Sequence, residues 1–136
     1  MDAALLDTDI LSEVLKRRNS TVTAHAAAYL QTHGAFAFSA FTRLEIRRGY
    51  LLANATRELP RFELFCQHCL ILPVTDGVLD RAAGLWAEAR RGGHPHGDAD
   101  LIIAATALEH GRVLVTGNTR HFGWVPGLTT ADWRTP

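Results

Sequence analysis

The chain is 136 residues long, which suits one domain and is enough to bury a real core. Nearly half of it is apolar (47%), 21% is charged, and 14 basic residues balance 14 acidic ones, so composition points to an ordinary globular protein. Zero net charge gives no global attraction to nucleic acid or to a membrane surface. The opening MDAALLDTDI lacks the basic and apolar regions of a secretory signal, and no stretch approaches the length of a membrane span, so the expected location is the cytoplasm.

Taken in order, Ala3–Leu6 is a short apolar run that reads as a strand. Thr8 can cap a helix carrying Ile10, Leu11, Val14 and Leu15 at helical spacing, and Ser20 can cap a second helix over 21–32 that Gly34 ends. AFAFS, residues 35–39, is a second strand, followed by a helix from Thr42 past Leu52 and another over 57–66. A third strand spans 70–74 and a helix spans 76–91. GGHPHG breaks the chain before a helix over 98–110 closed by Gly111, and RVLVT, residues 112–116, is a fourth strand. Strands that are continuously apolar and alternate with helices imply a parallel sheet covered on both faces, an α/β/α sandwich, as one domain over 1–136. Cys66 and Cys69 form a lone CxxC without a second pair at zinc-finger spacing, and read as plain thiols.

In such folds functional groups gather at the carboxyl ends of the strands. Asp7 follows the first strand, Glu45 lies one helical segment beyond the second, Asp98 and Asp100 open the helix before the fourth, and Thr116, Gly117 and Asn118 end the fourth. Each has an ordinary alternative. Asp7 can cap the first helix, Glu45 can pair with Arg43 or Arg48, and Asp98 is a natural N-cap. Asp100 is harder to dismiss. A second acid in the first turn gains only a modest dipole benefit, and beside Leu101, Ile102 and Ile103 it is expected to be partly buried with no lysine near. Several carboxylates without a fixed Cys or His partner suit a hard cation, Mg²⁺ or Mn²⁺, and such an ion points to phosphate-ester chemistry.

Four segments then carry a specific likeness. LLDTDIL, FSAFTRLEIRRGY, GDADLIIAATALEHG and VLVTGNTRHFGWVPGLTTADW, in this order, resemble the conserved segments of the PIN-domain ribonucleases, specifically the VapC-type toxins of toxin–antitoxin pairs. The likeness covers nearly the whole chain. It implies a PIN-like α/β/α sandwich with a central, mainly parallel sheet, and a metal-dependent endoribonuclease that hydrolyses RNA with Mg²⁺ or Mn²⁺. Asp7, Glu45 and Asp100 correspond to the metal-holding catalytic acids, and Asn118 falls where many PIN domains carry a fourth acid. Thr8 and Thr116 are expected to orient the acids. Asp9 departs from the asparagine usual in the family, and Asp98 has at most a supporting role. The likeness also implies a homodimer, a VapB-type antitoxin that covers the acidic groove, and an RNA substrate for which tRNA is a candidate.

Arg43, Arg47, Arg48 and Arg120 flank these acids and are candidate phosphate contacts. His94, His96 and His121 are candidates for proton transfer or RNA contact, although water activated by a metal needs no histidine base. Trp86, Trp124 and Trp133 read as packing residues. Two rival readings fit the residues less well. A HAD-type phosphatase would use Asp7-Thr8-Asp9 as its DxD, but the Gly-Thr expected after it and the catalytic lysine are missing. A catalytically silent PIN-like binding module would be expected to lack one or more of the acids, and all three principal ones are present.

Overall fold

The computed structural model describes residues 1–136. Its strands are short: β1 (Ala4–Leu6), β2 (Ala37–Ser39), β3 (Leu70–Leu72), β4 (Val113–Val115) and β5 (Thr130–Ala131), with β1 and β2 buried along their whole length. The helices are α1 (Thr8–Lys16), α2 (Ser20–His33), α3 (Ala40–Leu52), α4 (Glu58–Cys66), α5 (Asp76–Arg91), α6 (Asp98–Glu109) and α7 (Thr119–Phe122). Every pairing is parallel. One ladder runs β1-β4-β5, with Leu5 opposite Leu114, and the other pairs β2 with β3, with Phe38 opposite Ile71. β2 lies against β1, which brings the two ladders side by side.

The pleat divides the core between two faces. Leu5, Ala37, Leu72 and Leu114 pack against α5 and α6, while Ala4, Leu6, Phe38 and Val115 pack with Ile10, Leu11, Tyr29, Phe62 and Trp133 on the other side. Both faces are covered by helices, which is why the strand sequences are continuously apolar rather than alternating. The sandwich expected from the sequence is therefore present, and its sheet is parallel throughout.

Differences arise at the helix starts. The sequence offers Asp7 or Thr8 as the cap of α1 and Ser20 as that of α2, and starts α3 at Thr42. Asp7 and Asn19 cap the first two, with Asn19 accepting from the N–H groups of both Thr21 and Val22, and α3 starts two residues earlier, capped by Ser39. α1 and α3 begin directly after their strands, so the connecting residue itself caps the helix and the threonine is left free to bond elsewhere. Asp98 does not cap α6 either. It lies in the first helical turn, exposed, and Gly97 occupies the cap position with no side-chain bond. α7 and β5, of four and two residues, were not expected, because neither is long enough to show a periodicity.

Candidate active site

The carboxyl ends of β1 and β4 lie next to each other, since the two strands pair directly, and they present Asp7 beside Thr116. The Asp7 N–H extends the ladder by donating to the Val115 carbonyl (2.8 Å), so the residue is held at the edge of the sheet. Its carboxylate turns back to accept from the Thr8 N–H (2.7 Å) and the Thr116 hydroxyl (2.8 Å). The Thr116 oxygen in turn accepts from the Asn118 N–H (3.1 Å), which orders the turn that carries Asn118.

α3 contributes Glu45. Thr8 Oγ1 donates to Glu45 Oε1 (2.7 Å) and lies 3.0 Å from the hydroxyl of Thr42, which is fully buried. One hydroxyl hydrogen cannot serve two acceptors, so Thr42 donates to Thr8 and Thr8 to the carboxylate. A cleft of about 450 Å³ is lined by Asp7, Thr8, Asp9, Ser12, Glu45, Asp100, Asn118 and His121, with Ile46 and Phe122 as its apolar wall. The three principal acids, scattered over 94 positions of sequence, thus share one opening.

Their environments differ. Asp7 is buried (8% exposed) and no cation pairs with it, whereas Glu45, Asp9 and Asp100 have Arg48, Arg134 and His121 as partners at 3.7, 3.7 and 2.7 Å. Burial pushes the Asp7 carboxyl up to about 6, and repulsion from Asp9 adds to this against the opposing bonds from Thr116 and Thr8. The buried acid without a counter-charge is therefore Asp7. Asp100, which the sequence suggested for that role, is half-exposed and bonded to His121 Nε2. Its oxygen points toward the opening rather than into the apolar side of α6.

Asp9 is tied to the backbone, accepting from the N–H groups of Ile10 (2.8 Å) and Gly117 (3.1 Å). Arg134, from the C-terminal segment, lies over Gly117 and bonds Glu13 (3.0 Å). A Cβ on Gly117 would overlap the guanidinium and crowd the Asp9 carboxylate, so a side chain there would have to displace Arg134 from its present position. Of the four candidate RNA-contacting arginines, Arg43 and Arg47 are bonded to Glu63 on α4 and do not line the cleft. Arg48 and Arg120 are exposed.

The sequence offers His94, His96 and His121 only as separate candidates; the pairing of Asp100 with His121, and of His121 with His96 (Nε2 to Nδ1, 2.9 Å), emerges only in the fold. The HPH run shortly before Asp100 and a histidine three residues after Asn118 were the available signals. The His96 imidazole is held below its ordinary value by burial, with His121 and His94 adding to the effect. Trp124 stacks on His96 with ring centres 4.9 Å apart. Cys66 and Cys69 are free thiols, both pushed up by burial, Cys69 to about 12, which leaves them protonated and poor metal ligands at neutral pH.

The donor set of the cleft fits a hard cation. It offers carboxylate and hydroxyl oxygens around a buried acid whose charge no side chain offsets.

A sequence model of the PIN domain matches residues 4–126, and the chain belongs to the PIN-domain family. Within it, the likeness is to VapC-type proteins. The tRNA(fMet)-specific endonuclease VapC of Shigella flexneri is 30% identical over 130 residues, which cover 95% of this chain and 96% of that protein. Among solved structures, the DNA-bound VapBC complex of Salmonella typhimurium superposes with a TM-score of 0.86 at 27% identity, covering 98% of this chain and 99% of the matched one. A toxin–antitoxin complex from Klebsiella pneumoniae gives 0.74 at 26% identity, covering 93% and 96%. No helix of the chain is long and apolar enough to cross a membrane.

Proposed function

We propose that the protein is a metal-dependent endoribonuclease acting in the cytoplasm as the toxin of a toxin–antitoxin pair. Asp7, Glu45 and Asp100 would hold Mg²⁺ or Mn²⁺, and Asn118 would stand at the fourth corner of the site. When bound, such an ion polarises a phosphodiester and supplies a nucleophilic water at neutral pH. The observation that carries this reading is the burial of Asp7 beside other acids without a cationic partner.

The chain's own groups divide the remaining work. Thr116 and the Thr8 N–H fix both oxygens of Asp7, and the Thr8 hydroxyl fixes one oxygen of Glu45, so the acids are oriented before any ligand arrives. Ile46 and Phe122 restrict water on one side of the cleft. The exposed Arg48, which pairs with Glu45, and the exposed Arg120 would contact RNA phosphates, positioning the strand without reading its sequence.

The partner is a VapB-type antitoxin, and the active species outside that complex is a homodimer. The RNA substrate is structured, with tRNA the first class to test, a choice supported by the printed specificity of the Shigella relative. The deciding experiment is cleavage of a mixed tRNA and structured-RNA pool by wild type, Asp7→Asn and Asp100→Asn, each with Mg²⁺, Mn²⁺ or EDTA. Metal-dependent cleavage lost in both variants is expected. Cleavage that persists in the variants would remove this site, and metal binding without cleavage by wild type would favour the silent binding module.

A further inference from the structure

At the rim of the cleft, His96 Nδ1, His121 Nε2 and an oxygen of Asp100 all lie within 4.8 Å of one another. No other group of three or more histidine, cysteine or acidic side chains in the molecule is drawn this close, and the principal acids Asp7, Glu45 and Asp100 stand further apart. The three atoms come from different segments: the loop before α6, the first turn of α6, and α7.

Hydrogen bonding alone leaves this cluster short of protons. If His121 Nε2 carries a hydrogen, that hydrogen points at Asp100 Oδ2 (2.7 Å) and is shared with the Nδ1 of His96 (2.9 Å). If His96 Nδ1 donates instead, the bare Nε2 faces a carboxylate oxygen across 2.7 Å, lone pair to lone pair. In either arrangement a single hydrogen lies among three atoms, and at least one lone pair shares it or goes without. A cation that accepts several donors at once satisfies all three.

We propose that His96, His121 and Asp100 form a second metal site, selective for a borderline transition-metal dication of the Zn²⁺ class, and that Asp100 belongs to both this site and the acidic cleft. Two imidazoles and one carboxylate are the ligands such ions select, whereas Mg²⁺ prefers oxygen and water. Tetrahedral Zn²⁺ with bonds near 2.0–2.1 Å sets its ligand atoms about 3.3 Å apart. Two of the three separations, 2.7 and 2.9 Å, lie within a few tenths of an ångström of that, and the third, from His96 to Asp100, is bounded by 4.8 Å. Both rings are already held by aromatic neighbours, His96 against Trp124 and His121 edge-on to Phe122 (5.3 Å), so little ordering is needed on binding.

Sharing Asp100 has a consequence that rests on the nuclease reading, although the site itself does not. Zn²⁺ held by the two histidines takes Asp100 away from the Mg²⁺ set, so Zn²⁺ would inhibit Mg²⁺-dependent cleavage.

The test is a Zn²⁺ titration of tag-free, metal-stripped, full-length protein at pH 7.5, by competition with a chelating dye. Wild type is compared with His96→Gln, His121→Gln and a Cys66→Ser/Cys69→Ser double variant, with circular dichroism as a folding control. One Zn²⁺ per chain is expected, weakened about tenfold or more in each histidine variant and unchanged in the cysteine variant. Co²⁺ used as a probe should give d–d absorption without a thiolate charge-transfer band. No Zn²⁺ binding by wild type, unchanged affinity in folded His96→Gln, or a thiolate band with loss only in the cysteine variant would each overturn the site. The titration needs no RNA, so its failure and the failure of the nuclease reading are separately visible.

Discussion

Asp7 and Asp100 line the same cleft and are held in opposite ways. Asp7 stands at a strand end, 8% exposed, with both oxygens bonded to neutral donors and no cation beside it. Asp100 stands on the first turn of a helix, half-exposed, with an imidazole already against it. One side of the cleft thus stores an uncompensated negative charge, and the other can satisfy its charge from within the chain. The buried side is where a hard cation gains most. The histidine side is where the choice of cation can be altered.

The largest expected effect comes from removing the stored charge. Asp7→Asn should lower metal-dependent RNA cleavage by about 100-fold or more, since a bound metal contributes several kcal/mol to the barrier. Asp100→Asn should lower it too, and in addition should weaken Zn²⁺ binding, which Asp7→Asn should leave unchanged. Equal metal profiles for the two variants would erase the distinction between the two sides.

The pH dependence follows from the same contrast. Asp7 titrates near 6 in the folded chain and near 4 when unfolded. A carboxyl whose folded value is raised binds its proton more tightly in the folded state. The metal-free fold therefore has this stability in full below pH 4 and loses about 3 kcal/mol as the pH rises through 6. Mg²⁺ binding must run the other way, weakening as the pH falls below about 6, because the ion and the proton compete for one carboxylate. Calorimetric titration with Mg²⁺ between pH 5 and 8 checks this.

Smaller effects separate support from direct contact. Thr116→Val removes the hydroxyl from Asp7 Oδ2 and should weaken metal affinity by about 10–100-fold at little cost in fold. Thr8→Val should act similarly but less, since Glu45 keeps its contact with Arg48. Arg48→Ala and Arg120→Ala should each weaken RNA binding evenly across sequences and lower the salt dependence by about one phosphate contact, measured by filter binding against salt. Arg134→Ala, which breaks exposed pairs with Glu13 and Asp9, should change stability by less than about 1 kcal/mol.

The sequence carried the layers of this fold because the strands are short, apolar and punctuated, so ALL and AFS could be found and the residues just after them became the natural places to look. The convergence of Asp7, Glu45 and Asp100 on one cleft was legible for that reason and because four motif segments stand in order. What stayed hidden depends on distance along the chain. Nothing local marks that Thr8 reaches Glu45 across 37 positions, or that His121 reaches Asp100 across 21. Which of Asp7 and Asp100 is the buried acid also could not be read. Apolar neighbours on a helix do not fix the direction in which a first-turn side chain points, and the depth of a strand end depends on what packs over it. At the first two helices the choice of cap stayed open by one residue, because Asp7 beside Thr8 and Asn19 beside Ser20 are all good caps. Only the packing decides which of them is spared for another bond.

The most direct single measurement is the melting temperature of wild type and Asp7→Asn at pH 7.5, each in EDTA and in millimolar Mg²⁺. If Asp7 stores uncompensated charge for a cation, the metal-free variant melts about 5 °C above metal-free wild type. Mg²⁺ then raises wild type and leaves the variant where it was. A metal-free variant that melts at or below wild type, or an equal rise of both proteins with Mg²⁺, would contradict the assignment of Asp7 as the buried acid that holds the ion.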